Sequence, residues 1–158
     1  MAEGKYRFDA GKAYKLICDT LDEADFRYHK DDEQLSVTIN AESDGLPIQI
    51  RMWINEKTQM VSVISRLPFT IAEDKRVEFA LAVCYVNSEF TNGCFDYEAS
   101  VGTIAFRMSN PLRGCELTSE IVRYMMILSY KSVENYGDKF FMFNKGLISL
   151  EQLLDFED

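Results

Sequence analysis

The sequence predicts an α+β domain, with an antiparallel sheet flanked by helices in the order α-β-β-β-β-α-β-β-α and a short helix at the C-terminus. Three observations carry that expectation. Apolar residues recur at three- and four-residue spacing near the start, in the middle and toward the end of the chain, while the stretches between them alternate. Clusters of acids, glycine and proline punctuate these runs where turns belong. A chain of 158 residues with 47% hydrophobic and 13% aromatic content is also large and apolar enough to bury one real core.

Between Asp9 and Asp25, Tyr14, Ile17, Cys18, Leu21 and Ala24 fall on one face of a helix, and Asp9 is placed to cap its first turn. Phe26 to Lys30 and the alternating Leu35, Val37 and Ile39 read as a hairpin around the acidic turn Asp31, Asp32, Glu33. A third strand carries Ile48, Ile50, Met52 and Ile54 on one side and Gln49, Arg51 and Trp53 on the other. A fourth runs from Met60 to Leu67. One face of this sheet is therefore greasy and the other mostly wet.

Pro68 is expected to end the sheet pattern. Thr70 with Glu73 gives the T-x-x-E signature of a capping box, opening a second helix whose inward row is Val77, Ala80, Leu81 and Cys84. That helix fades near Asn87. Gly93 supplies the backbone freedom for a tight entry into another hairpin, built from Phe95 and Tyr97, then Ile104, Phe106 and Met108. Asn110, Pro111 and Gly114 close it. A third helix follows from Thr118, with Leu117 and Val122 as a hydrophobic staple, an inner row of Ile121, Met125, Leu128 and Ser132, and Gly137 just past its end. After a Phe-rich bridge, Ser149 and Gln152 repeat the capping box for a short last helix carrying Leu153, Leu154 and Phe156. Residues 1–137 are thus expected as the α+β domain, with 138–158 a C-terminal extension packed on it.

Charge and composition exclude several functions. The net charge is −9 and Lys and Arg are scattered singly, so no basic stripe is available for nucleic acid. The first twelve residues, MAEGKYRFDAGK, lack the apolar segment of a signal peptide, and no apolar run approaches the ~20 residues needed to span a bilayer. A cytoplasmic protein without a membrane partner is expected. The four cysteines, Cys18, Cys84, Cys94 and Cys115, are widely spaced and contain no C-x-x-C pair, which suits small buried thiols. With His29 as the sole histidine, neither a metal site nor another cofactor is expected.

Catalytic constellations are equally sparse. His29 is the one candidate base for a nucleophile and sits in a strand beside a charged turn. The carboxylate groups, such as Asp22 with Glu23 and Asp25, fall at helix ends and turns, where they are hydrated. Asn40 to Arg51 imitates a calcium loop, but its twelfth position is Arg51, Pro47 interrupts it and strands flank it. No phosphate-binding glycine pattern occurs. Asn87, at a helix end, is expected to bond the backbone of the following turn.

Asn87, Gly93, Cys94, Phe95, Gly102, Ile104, Phe106 and Arg107, set in this element order, resemble the middle of the YbjN domain family. The likeness runs from about Asp9 to Tyr136, and the segment beyond Gly137 is an addition to the family core. The resemblance implies a fold like that of type III secretion chaperones, no enzymatic activity, and pairing as a homodimer.

Trp53 faces the wet side of its strand, where a helix, the tail or a partner could cover it. Tyr124, Met125 and Met126, then Phe140, Phe141, Met142 and Phe143, give the third helix and the tail more soft apolar surface than one inner row requires. Trp53, Met125, Met126 and Phe141 are therefore the candidate partner-binding residues. The expected function is a non-enzymatic dimeric protein-binding module, chaperone-like or regulatory, with a protein or peptide client. Self-association alone, or a small-ligand receptor or enzyme with a pocket invisible in sequence, are the alternatives.

Overall fold

Alternating strands build a six-stranded sheet, order β1-β2-β3-β4-β6-β5, in the computed structural model, which describes residues 7–155. Phe156 lies outside the described residues. The elements are α1 (Ala10–Glu23), β1 (His29–Asp31), β2 (Ser36–Ser43), β3 (Leu46–Asn55), β4 (Met60–Thr70), α2 (Arg76–Ser88), β5 (Cys94–Glu98), β6 (Thr103–Pro111), α3 (Ser119–Asn144) and α4 (Leu150–Leu154). All neighbouring strands are antiparallel.

Registration of Ile39 with Ile50, of Met52 with Val63, of Val63 with Met108 and of Phe95 with Phe106 brings the main apolar rows of β2 to β6 to one side. There α1 and α3 cover them, and Ile17, Met52, Val63, Phe106 and Met108 are almost completely buried. Each such side chain contributes about 1.5–3 kcal/mol by leaving water. The α+β class expected from the sequence is the class observed.

At α1 the prediction and the structure agree in detail. Asp9 accepts the Lys12 amide at 2.9 Å, and Tyr14, Ile17, Cys18 and Leu21 are buried. Ala24, expected in the same row, is the exposed C-cap. Strand β1 is shorter than expected, beginning at His29 rather than Phe26. Pro68 does not stop β4, which continues to Thr70 through an irregularity of register between Arg66 and Thr70.

Three expectations fail for identifiable reasons. The Thr70/Glu73 capping box does not form, because Thr70 is still strand and the chain enters α2 through a 3-10 turn over Glu73–Lys75 capped by no side chain. That entry is instead held from α3. The Asn144 amide donates to the Thr70 carbonyl at 2.9 Å and accepts the Ala72 N–H at 2.8 Å, and Lys75 Nζ donates to the Phe143 carbonyl at 2.7 Å.

Secondly, α2 buries Phe79, Ala82, Val83 and Val86, not the expected Val77, Leu81 and Cys84. Both sets have helical spacing, and Phe79 decides between them. Its ring packs edge-on against Tyr97 and Phe140 at 5.0 and 4.9 Å, a larger gain than Val77 could provide. Thirdly, α3 does not end at Gly137 but continues to Asn144. A Cβ at position 137 would lie 2.6 Å from Leu46 Cδ2 and 3.3 Å from Leu67 Cδ2. Glycine here permits close approach of helix to sheet. The Phe-rich bridge is consequently the last two turns of α3, and its Phe140 and Phe143 enter the core.

Candidate functional site: apolar groove and outer helix face

A groove of about 480 Å³ opens between α1 and α3 over β2 and β3. Its floor is Leu21, Ile39, Ile50, Val122 and Met126, and the small side chain of Ala41 leaves the space open. Phe26 and Ile127 stand on its rim, 49% and 61% exposed. Arg123 and Lys131 also line it but are engaged, by Glu23 at 3.3 Å and Glu134 at 2.6 Å. The walls thus offer apolar contact and few polar groups, which suits inserted side chains better than a small polar ligand.

The second apolar surface is the outer face of α2. Val77, Leu81 and Tyr85 follow one another at four-residue intervals and are 82%, 61% and 44% exposed. Cys84 is exposed beside them. Because Phe79, Ala82, Val83 and Val86 already fill the core-facing stripe, Val77 and Leu81 are surplus to the needs of the core.

The four candidate partner residues do not converge. Trp53 is half-buried on the face of the sheet turned away from the helices, opposite Ser36 and Ser62, with the Arg51 guanidinium 5.8 Å from its ring centre. Met125 is fully buried, so the surplus that suggested it is core packing along the long α3. Met126 is also buried and contributes to the groove floor. Phe141 remains 38% exposed, edge-on to Phe69 at 5.4 Å. Sequence reasoning put Val77 on the inward row and Phe26 in a strand and did not reach Tyr85 and Ile127, although two competing helical periodicities in α2 are visible in the sequence.

The motif around Asn87 forms one structural unit. Asn87 Oδ1 accepts the Phe95 N–H at 2.7 Å and Nδ2 donates to the Phe95 carbonyl at 3.0 Å. The side-chain amide stands where a seventh strand would pair. Gly93, at φ 80°, could not carry a Cβ, which would meet the Phe106 ring at 2.4 Å. Phe106, Phe95, Phe90 and Tyr136 then pack as an aromatic cluster with centroid separations of 5.3 to 5.8 Å.

Titratable groups are arranged for structure. Burial raises the Tyr14 phenol well above its usual range, and donation to Asp32 at 2.8 Å adds to that. Tyr28 is raised in the same way, with Asp22 as acceptor at 2.8 Å. Burial and then Asp96 push the Cys94 thiol up. Only Cys18 is buried, while Cys84 and Cys115 are exposed, which corrects the expectation of four buried thiols. His29 is exposed on the edge strand. Among the described residues, no three His, Cys, Asp or Glu side chains are grouped to hold a metal, and no helix is long and apolar enough to cross a membrane.

No family model and no curated protein matches the chain. Solved structures do. A chain of the HopA1–SchA chaperone–effector complex aligns with a TM-score of 0.55 at 13% identity, covering 82% of this chain and 97% of that one. A chain of the ExsC–ExsE complex gives 0.59 at 10% identity, with 80% and 92% covered. YbjN from E. coli gives 0.57 at 10% identity, with 76% and 84% covered. The chain carries the type III secretion chaperone-like fold. The resemblance of its central motif to YbjN thus extends to the course of the backbone.

Proposed function

We propose that this protein is a non-enzymatic, dimeric protein-binding module of chaperone type, which holds a segment of a client polypeptide in the groove between α1 and α3. The groove carries the reading, because its open apolar floor and exposed Phe26 and Ile127 match how side chains of a bound segment are recognised. The two structural neighbours taken from chaperone–effector and ExsC–ExsE complexes support it. Val77 and Leu81 on the outward face of α2 form the surface offered to a second copy, since an exposed apolar helix face suits a two-fold contact. Free thiols at Cys84 and Cys115 support a reducing compartment, the cytoplasm.

The test is capture from native lysate, followed by mass spectrometry, with Ile127→Asp as the paired control. The wild type is expected to retain client polypeptides that the variant loses. Equal recovery by both would refute the groove. For the dimer, light scattering is expected to give twice the 18.2 kDa chain mass, and Leu81→Glu to return it to one. A dimer without groove-dependent clients would leave self-association as the function.

A further inference from the structure

The centre of the sheet face turned away from the helices carries arginines, in a chain that is acidic as a whole. Register places Arg51 of β3 and Arg107 of β6 on either side of Ile64, as its direct cross-strand neighbours. Arg66 lies two residues along β4 and therefore on the same face. Arg107 is engaged by Asp96, through contacts of 2.5 and 3.1 Å. Arg51 bonds a neutral group, the Ser36 hydroxyl at 3.3 to 3.4 Å. Neither Arg51 nor Arg66 forms an ion pair among the described residues.

Of the other acids of this face, Asp31 on β1 is the cross-strand neighbour of Ser36, to which Arg51 donates, while Glu42 is near the turn end of the β2–β3 hairpin and Glu98 ends β5. The floor around the arginines is low, with Ser62, Ala105 and Ser109 between taller neighbours. A chain with 26 acidic and 17 basic residues thus leaves two guanidinium groups without an ion pair among the described residues, on one sheet face beside Ile64 and its only tryptophan, Trp53.

We propose that this face docks an extended acidic segment of a partner polypeptide, whose carboxylates pair with Arg51 and Arg66 while an apolar side chain rests on Ile64 and Trp53. This goes beyond the groove, which lies on the opposite side of the sheet. A guanidinium fork matches a carboxylate in geometry as well as charge. An extended segment presents every second residue to one side, so alternating acids would all face the sheet. Screening over about 8 Å at physiological salt weakens the influence of the more distant Glu42 and Glu98 on the contact with the arginines. Nucleic acid is disfavoured, because its affinity grows with the number of phosphates neutralised and this patch offers only three arginines, one already paired.

The test uses the full chain and a fluorescein-labelled dodecapeptide alternating Glu and Ala, with Leu in place of one central Glu, read by fluorescence anisotropy at low and physiological salt. The expected result is binding that weakens with salt, fails for the Lys–Ala counterpart and falls about tenfold or more in Arg51→Glu/Arg66→Glu. Arg51→Gln/Arg66→Gln serves if charge reversal impairs folding, as judged by circular dichroism. Ile127→Asp, which blocks the groove, is expected to leave peptide binding unchanged, so the two readings fail separately. Equal binding of both peptides, no binding of either, or indifference to the arginine variants would overturn the proposal. So would a change of molar mass with the arginine variants, because the occupant would then be a second copy.

Discussion

Helices α1 and α2 have nearly the same length, 14 and 13 residues, yet relate to the core in different ways. α1 carries one apolar stripe, and all of it except the terminal Ala24 is buried. α2 carries two, and only the stripe containing Phe79 faces the sheet. A single stripe makes orientation readable from spacing alone. Where two stripes compete, the chain's own packing takes one and leaves the other exposed, so ambiguity in the pattern marks a surface on which to test for a partner.

The sharpest way to break this comparison is truncation on each face. Phe79→Ala is expected to cost about 3–5 kcal/mol and Ile17→Ala on α1 about 2–5 kcal/mol, while Leu81→Ala stays within ~0.5 kcal/mol. Urea melts in dilute solution, where association contributes least, provide the measurement. A large loss at Leu81 under those conditions would mean that the outer row is covered within one chain.

A smaller effect is expected at the C-terminal end of α2. Asn87→Ala removes both bonds to Phe95 and leaves a main-chain donor and acceptor at the sheet edge, at a cost of about 1–3 kcal/mol. An unchanged urea midpoint would assign the edge to solvent rather than to Asn87. Thiol chemistry then compares the helices directly. Cys84 on α2 should label quickly with a maleimide in dilute protein and slowly once the chain associates, whereas Cys18 on α1 should label only on unfolding. Peptide mapping after timed quenching reads both, and equal rates would erase the distinction.

The smallest effect is alkaline. Tyr14 on α1 keeps its proton when folded, because burial and Asp32 raise its pKa, while the unfolded phenol ionises near pH 10. The folded state then binds more protons than the unfolded one, so stability is intact below about pH 10 and falls as pH rises through the folded value. Urea midpoints at pH 8 and 10.5 should show the decline, and Tyr14→Phe should lessen it. An equal decline in the variant would exclude Tyr14 as its source.

Much of the fold was legible because its signals were local. Asp9, the alternating Ile48 to Ile54 row and the Ser149/Gln152 capping box each specify structure within a few residues, and each is seen. The failures are residues whose role is decided at a distance. Gly137 reads as a helix stop, yet Leu46 and Leu67 make it a point of contact. Thr70 reads as a cap, yet Asn144 does that work from 74 residues away. Of the candidate partner residues, Met125 was hidden by the same effect, since helix burial on the long α3 depends on what lies beneath it. The groove arises from the spacing of α1 and α3 above Ala41, a tertiary quantity with no signature in the chain.

The Asn87 amide also bears on how many copies can join. A sheet grows without limit by strand addition only if it has two receptive borders, as a linear polymer needs two reactive ends. Here one border is occupied at Phe95 by a side chain of the same molecule, leaving the three-residue β1 as the other. A chain terminated on one side can join through its strands to one further copy and then stops. Asn87 acts, in that sense, as the chain terminator of a polymerisation that the open sheet would otherwise permit.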